Sequence, residues 1–569
     1  MKLYGFLFAV AHLGGVLCLW PLPRSLEVGS SALKLASNFD IHLNVAHAPS
    51  DLEAAVSRTK AFLKNDKLGR LVVGRGASDS SALQRAPTLR SLQLSLEPHA
   101  PVRSITEEAR LPIGTRSEGY SLHIPADGST ASITANSTLG LLRGLTTFEQ
   151  LWYEFSGQVY TVEAPVSIAD SPAYPYRGFM LDTSRNLQVY PQVVCYLPAQ
   201  DWFLYSFPVS DIKRTLDAMS WVKMSQFHWH VTDSQSFPLE VPGFTELASQ
   251  GAYSSSMVYT PSDVQEIVSY AGARGIDVMI EIDTPGHTAI ISAAHPEHIA
   301  CAEASPWTTF ANEPPAGQLR LASPATRNFT ADLLAAVARM FPSTVMSTGG
   351  DELNTECYVQ DAQTQADLKA SGRTLEQALD VFTQATHAAI RAEGKTPAVW
   401  EEMVLDHNVT LGNDTIVMVW ISSANAAAVA ARNFRIVHGP SDYFYLDCGA
   451  GEWIGDDVAN SWCDPFKTWQ ESYTFDPLAN ISESQAHLVL GGEQLLWTEQ
   501  SGPENLDPIV WPRAASSAEV FWSGPGGNLT TALPRLHDIA FRMRQRGVNA
   551  IQLQPLWCAL RPGKCNIDS

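Results

Sequence analysis

Thr344-Val-Met-Ser-Thr-Gly-Gly-Asp351-Glu352 reads as a short apolar strand that runs into two glycines and then two adjacent acids. The same arrangement, an apolar or β-branched run closed by polar and aromatic residues, recurs through the C-terminal two thirds of the chain. Strands are predicted at 179–183, 226–233, 277–283 and 344–351, then at 397–401, 415–421, 435–438 and 489–499. Helical segments lie between them, among them 210–221, 261–274 and 374–393. Eight strands alternating with helices over roughly 370 residues suit a (β/α)8 TIM barrel of the α/β class. A doubly wound sheet is the alternative, but no glycine-rich phosphate loop follows any strand.

The strand ends carry the chemistry-bearing residues: Asp233, Asp283 with His287, Asp351 with Glu352, Trp400 with Glu401, Trp420, and Trp497 with Glu499. In a barrel these ends converge on one face, where active sites are built. One acid after a strand is ordinarily a helix cap, and six converging clusters are poorly explained that way. Upstream, Leu92, Leu94 and Leu96 alternate with polar neighbours, as do Leu122 and Ile124, and 138–152 has helical spacing. No acidic cluster stands there, so a smaller supporting α/β domain of sheet and helices is expected. The expected division is a leader at 1–19, this domain at 20–172 and a catalytic barrel at 173–569.

The chain has 569 residues, 45% of them hydrophobic and only 17% charged, ample for two cores. A formal charge of −21 disfavours nucleic acid and anionic membrane surfaces. Lys2 and the apolar run after it read as a secretory signal, implying an extracellular protein. Nothing else approaches the roughly 20 apolar residues of a membrane span. Six sequons, at Asn136, Asn328, Asn408, Asn413, Asn480 and Asn528, agree with export. Of eight cysteines, Cys18 is expected to leave with the leader. Cys448 with Cys463 and Cys558 with Cys565 suggest local disulfides, and Cys301 with Cys357 a third across a longer loop. Cys195 is then left over.

Cleaving a glycosidic bond needs a proton donor and a negative charge beside an oxocarbenium-like centre. Adjacent side chains on a strand point to opposite faces, so Asp351 and Glu352 can share a task only if the chain bends, which two glycines permit. The pair then suggests one proton donor and one carboxylate with different work. Tryptophan faces stack on sugar rings, and Trp400, Trp420 and Trp497 stand beside the acids. His228 and His230 could suggest a metal site, but a buried strand pair is the preferred reading.

The sequence resembles family 20 glycoside hydrolases, the β-N-acetylhexosaminidases, and within them the secreted eukaryotic, fungal-type branch. The matching segments begin with Arg177-Gly-Phe-Met-Leu-Asp182-Thr-Ser-Arg185-Asn186, His228-Trp-His230-Val-Thr-Asp233 and Glu281-Ile-Asp283-Thr-Pro-Gly286-His287. Gly349-Gly-Asp351-Glu352, Trp400-Glu-Glu402, Tyr445-Leu-Asp447-Cys448 and Gly491-Gly-Glu493-Gln-Leu-Leu-Trp497-Thr-Glu499 complete the set. The resemblance implies substrate-assisted retention, in which the sugar's own acetamido oxygen forms an oxazolinium intermediate. Glu352 is then general acid and base, Asp351 orients the acetamido nitrogen, and Tyr445 holds the acetamido oxygen. Asp233 and His287 form a relay behind Glu352. Arg177, Glu499 and Asp447 grip sugar hydroxyls, and Trp400, Trp420 and Trp497 wall the pocket. No metal or cofactor is implied. The implied substrates are oligosaccharides ending in N-acetylglucosamine or N-acetylgalactosamine, chitin oligomers included, and relatives suggest a homodimer.

One segment departs from the family pattern. About 20 residues, 187–206, separate Asn186 from Phe207-Pro-Val209 and contain the odd Cys195. A translated intron is the preferred reading, and a genuine loop over the catalytic face is the other. A catalytically inactive sugar-binding protein on the same barrel is the rival function, if that segment is real and blocks the site. A relative releasing a disaccharide is a third reading.

Overall fold

Alternating apolar residues lay down the first sheet. In the computed structural model, which describes residues 18–186 and 207–567, six strands form it: β1 (Ser25–Asn44), β2 (Thr88–Leu96), β3 (Tyr120–Ile124), β4 (Ala131–Ala135), β5 (Tyr153–Phe155) and β6 (Gln158–Asp170). Their order is β1-β2-β4-β3-β6-β5, and β1 also pairs antiparallel with β6. Leu92, Leu94, Leu122, Ile124 and Ile133 share a core with the helix Thr138–Gln150. That helix starts where Ser137 accepts a hydrogen bond from the Gly140 amide.

The barrel follows. Its strands are β7 (Tyr176–Asp182), β8 (Gln226–His230) and β9 (Asp277–Glu281), then, after the short pair β10 (Ile299–Ala300) and β11 (Gln318–Leu319), β12 (Val345–Ser347). β13 (Thr396–Trp400), β14 (Ile416–Val419), β15 (Arg435–His438) and β16 (Val489–Leu496) complete it. All eight barrel pairings are parallel, and β12 pairs with β9 to close the ring. The (β/α)8 expectation is met strand for strand. Most observed strands end earlier than expected, because Asp233, Asp283, Asp351 and Glu499 leave the hydrogen-bond ladder for the loops beyond it.

The sheet domain packs against the starts of the first barrel strands. Glu118, fully buried, accepts from Arg143 Nε at 2.9 Å and from Arg177 Nη2 at 2.5 Å. Arg143 also reaches the carbonyls of Met224 and Gly275, which precede β8 and β9. Burial disfavours both guanidiniums, and Glu118 offsets it; Arg177 is brought down to about 10. This corrects the expectation for Arg177. It stands at the N-terminal end of β7, five residues before Asp182 and therefore roughly 16 Å along the strand from the catalytic face. It is fully buried there and fastens the two domains together through Glu118.

With one mouth of the barrel covered, the described residues leave a cavity at the C-terminal mouth. Residues 18–22 strengthen the same junction. Trp20 exchanges hydrogen bonds with Gln150 and donates its indole N–H to the Ala515 carbonyl at 2.7 Å, while Arg535 donates to the Leu19 carbonyl. Cys18 and Leu19, assigned by the sequence expectation to the leader, are buried in this packing. The three disulfides join Cys301 to Cys357, Cys448 to Cys463 and Cys558 to Cys565. Residues 187–206, with Cys195, lie outside the described residues. Among the described residues no helix is long and apolar enough to cross a membrane.

Breaking a buried charge cluster by removing one partner strands the others. Glu118→Gln is therefore expected to lower unfolding free energy by about 3–5 kcal/mol, measured by urea denaturation. An unchanged midpoint would mean that the junction does not depend on this carboxylate.

Candidate active site

After β12 the backbone leaves the barrel through left-handed conformations, with φ of 65° at Gly349, 102° at Gly350 and 54° at Glu352. An added Cβ at Gly349 would stand 1.8 Å from Asp283 Oδ1, and one at Gly350 would stand 2.5 Å from Met403. Only glycine fits these two positions. The twist brings neighbouring carboxyls to one imidazole: His287 Nε2 lies 3.3 Å from Glu352 Oε2 and 3.7 Å from Asp351 Oδ2. At Glu352, which has a Cβ, the positive φ costs about 1–2 kcal/mol.

Behind this pair stands the expected relay. His287 Nδ1 donates to Asp233 Oδ1 at 3.1 Å. Burial disfavours the imidazolium, but Asp233 and Asp351 hold its pKa well above the ordinary value. Burial likewise pushes Glu352 up, and the His287 hydrogen bond and charge outweigh it, leaving Glu352 below the usual carboxylate range. Asp351 is shifted the other way, raised by burial and by Glu352. Asp283 is raised much further, by burial and by Asp351. Asp283 also accepts from the Gly350 amide at 2.8 Å. Asp351 Oδ1 is buried and has no hydrogen-bond partner among the described residues.

Aromatic rings form the opposite wall. Trp420 stacks on Tyr445 with centroids 6.2 Å apart and planes 17° from parallel, and Trp462 meets both edge-on. Trp497 meets the Tyr445 ring with centroids 6.4 Å apart, and burial holds the Tyr445 hydroxyl well above its ordinary pKa. Trp400 does not line the pocket. It lies beneath Trp497, centroids 6.2 Å apart, with its N–H on Glu281. Its expected place as a wall is corrected to that of a floor under the wall, because β13 buries it in the barrel interior.

Arg185 brings a guanidinium to the pocket. Its guanidinium bonds Asp182 at 3.1 Å, Asp233 at 2.9 Å and Glu313 at 2.8 Å, approaches Glu499 at 3.5 Å, and lies 4.8 Å over the Trp497 ring. Asp447 accepts from the Trp497 amide, and burial raises it to about 7. Glu499, raised well above the carboxylate range by burial, lines the same cavity. The structure thus joins Asp233, His287, Asp351, Glu352, Trp420, Tyr445, Asp447, Trp497 and Glu499 and leaves out Arg177.

Sequence reasoning missed Arg185, Asn312, Glu313 and Trp462. Arg185 was legible: it follows Asp182 at a strand end, as the other clusters do. Trp462 sits in the loop closed by the Cys448–Cys463 bridge, and nothing in its spacing points to the pocket. Asp233, His287 and Glu313, and also Asp283, His287 and Asp351, bring potential metal-ligand atoms within 4.8 Å of one another. In both groups the imidazole already faces the carboxylates as a donor, so a cation there would displace its protons.

The family described as "Glycosyl hydrolase family 20, catalytic domain" matches residues 204–525, and "beta-acetyl hexosaminidase like" matches 19–151. The chain is 36% identical over 473 residues to a beta-hexosaminidase of Arthroderma benhamiae, covering 79% of this chain and 74% of that protein. It is 32% identical over 577 residues to a chitooligosaccharidolytic beta-N-acetylglucosaminidase of Bombyx mori, covering 96% and 89%. In fold it is similar to an exo beta-N-acetylglucosaminidase of Vibrio harveyi in complex with N-acetylglucosamine, with TM-score 0.72 and 22% identity over 96% of this chain and 80% of that one.

Substituting Gly349 combines left-handed strain with overpacking against Asp283. Gly349→Ala is expected to lower stability by about 2–5 kcal/mol in thermal unfolding. A full-strength transition would show that Asp283 can move aside.

Proposed function

The chain belongs to glycosyl hydrolase family 20 and is a glycoside hydrolase of the β-N-acetylhexosaminidase type, and on that premise we propose how its pocket works. It removes a terminal, non-reducing, β-linked N-acetylglucosamine or N-acetylgalactosamine from chitooligosaccharides and glycans by substrate-assisted retention. The observation that carries this reading is Asp351 Oδ1, a buried carboxylate oxygen without a partner among the described residues, beside a proton-donating carboxyl. An unpaired buried acceptor is unfavourable until a donor arrives, and an acetamido N–H is such a donor.

In the first step Glu352 gives its proton to the leaving glycosidic oxygen while the bond from that oxygen to the anomeric carbon breaks. The acetamido oxygen bonds to the anomeric carbon, and the ring so formed carries a positive charge beside Asp351. Tyr445 directs its hydroxyl proton to the acetamido oxygen. In the second step Glu352 takes a proton from water, whose oxygen opens the ring and restores the configuration. His287, held by Asp233, stabilises the Glu352 carboxylate between the steps. Arg185 and Glu499 bind the hydroxyls of the terminal sugar, and Trp420, Trp462 and Trp497 pack its faces.

We extend the proposal to export from the cell. All six sequon asparagines are exposed, and three disulfides support an oxidising compartment. Enzymatic deglycosylation of the protein from the medium of its own cells should lower its mass. Pairing as a homodimer is part of the proposal too, and sedimentation of the purified protein tests it.

On an aryl N-acetyl-β-glucosaminide, Glu352→Gln and Asp351→Asn should each lower kcat/KM by about 10²–10⁴-fold with folding intact. Full-length protein that is folded yet inactive would instead favour a sugar-binding protein. The pH profile has a definite sign. Glu352 must be protonated to act and its pKa lies below the carboxylate norm, so kcat/KM falls as pH rises towards neutrality. Asp351 must be ionised and its pKa is raised, so activity also falls at lower pH. The expected result is a narrow bell on the acid side. A maximum at or above neutrality would contradict these roles.

A further inference from the structure

The Asp233–His287–Glu352 relay is one end of a longer chain of charges that runs down through the barrel interior. At the far end Tyr176 donates its hydroxyl to Glu493. Glu493 Oε1 lies 2.9 Å from His228 Nδ1, and His228 Nε2 lies 2.9 Å from Glu281 Oε2. The other oxygen of Glu281 is 2.8 Å from His230 Nδ1, and His230 Nε2 is 2.9 Å from Asp233 Oδ2. From Asp233 the chain continues through His287 to Glu352.

Strand geometry produces this order. His228 and His230 are two apart on β8, so both point the same way. His230 pairs in register with Glu281 at the end of β9. One oxygen of Glu281 therefore meets each imidazole, with Glu493 of β16 on the other side of His228. None of these side chains is more than 1% exposed.

Every imidazole nitrogen of His228 and His230 faces a carboxylate oxygen, and an ionised carboxylate can only accept. Both nitrogens of each ring must then donate, which makes both rings imidazolium and the chain alternate in sign. Burial opposes the charge, but Glu493 and Glu281 raise His228 to about 9, and Asp233 and Glu281 raise His230 well above its ordinary value.

We propose that His230 and Glu281 are positioning residues that set the pH range of Glu352 by fixing the charge of Asp233, an inference that rests on Glu352 being the general acid. Asp233 is fully buried and keeps its charge because three cations surround it: Arg185 after β7, His287 after β9, and His230. Among the described residues the charged groups that His230 faces are Glu281 and Asp233, with the Trp497 ring against it at 4.9 Å. Glu352 faces His287, with Asp351 beside it and Arg185 and Glu313 behind that imidazole. Removing the His230 cation leaves the chain more negative, which raises the pKa of Glu352 and of Asp351, the two carboxyls that face His287. Removing the Glu281 anion does the reverse.

The test compares kcat/KM against pH for the full-length protein, His230→Gln and Glu281→Gln. His230→Gln should move both limbs of the bell to higher pH by about half a unit or more, and Glu281→Gln should move them lower. A purely structural role would lower activity or melting temperature without moving the limbs. Coincident profiles, or shifts of one sign, in folded variants overturn the proposal. If either variant fails to fold, histidine-selective 15N NMR of the unsubstituted protein decides. His228 and His230 are both expected as imidazolium at neutral pH, and a neutral ring at either overturns the proposal. An unsubstituted protein without hydrolytic activity would refute the function and not the charge pattern, so the two failures are separable.

Discussion

A carboxylate with no solvent contact stays ionised only where positive groups surround it, and at Asp233 three do. His230 reaches it from the barrel interior, His287 from the loop after β9, and Arg185 from the loop after β7. Each of those cations is in turn fixed by other acids: Glu281 beneath, Glu352 and Asp351 at the pocket, Asp182 and Glu313 around the guanidinium. Three successive barrel strands are thus tied at one buried atom group. The position of the catalytic carboxyl follows from that tie.

The second constraint is the geometry after β12. A regular strand would send Asp351 and Glu352 to opposite faces. Left-handed turns at Gly349, Gly350 and Glu352 turn both toward His287. The same crowding that excludes a side chain at Gly349 sets Asp283 against the Gly350 amide, where burial and Asp351 raise its pKa well above the ordinary value. Backbone strain is therefore concentrated where two acids must differ in protonation though they are neighbours in sequence. In the proposed mechanism Glu352 must give a proton although His287 lowers its pKa, and Asp351 must carry charge although burial raises its own, so the two roles meet only in a narrow pH window.

The sheet domain serves this site from a distance. Its Glu118 joins Arg143 and Arg177 under the starts of the barrel strands, and Trp20 and Gln150 extend the junction. Covering that mouth buries the polar ends of β7, β8 and β9 and leaves the other mouth to the loops that bind substrate. Stability and chemistry are divided between the two ends of the same strands, as the barrel architecture allows.

Periodicity and strand-end chemistry in the sequence determined the eight barrel strands, the supporting domain, the three disulfides, and most of the pocket. These are local properties: an apolar run, a glycine pair and an acid at its end are written in adjacent residues. Strand direction in the sequence hints at which of two arginines on one motif meets the pocket, and tertiary structure decided it. Arg177 and Arg185 are eight residues apart, and only strand direction and the packing of Glu118 against the barrel floor separate their roles. The same holds for Trp400, which sits a layer below its expected place, and for Trp462, carried into the site by a disulfide-closed loop. It holds most of all for the chain from Tyr176 to Glu352, whose members come from β7, β8, β9, β12 and β16 and the loops that follow them. Its alternating charges depend on which oxygen faces which nitrogen, a matter of barrel closure and register that no single stretch of sequence contains.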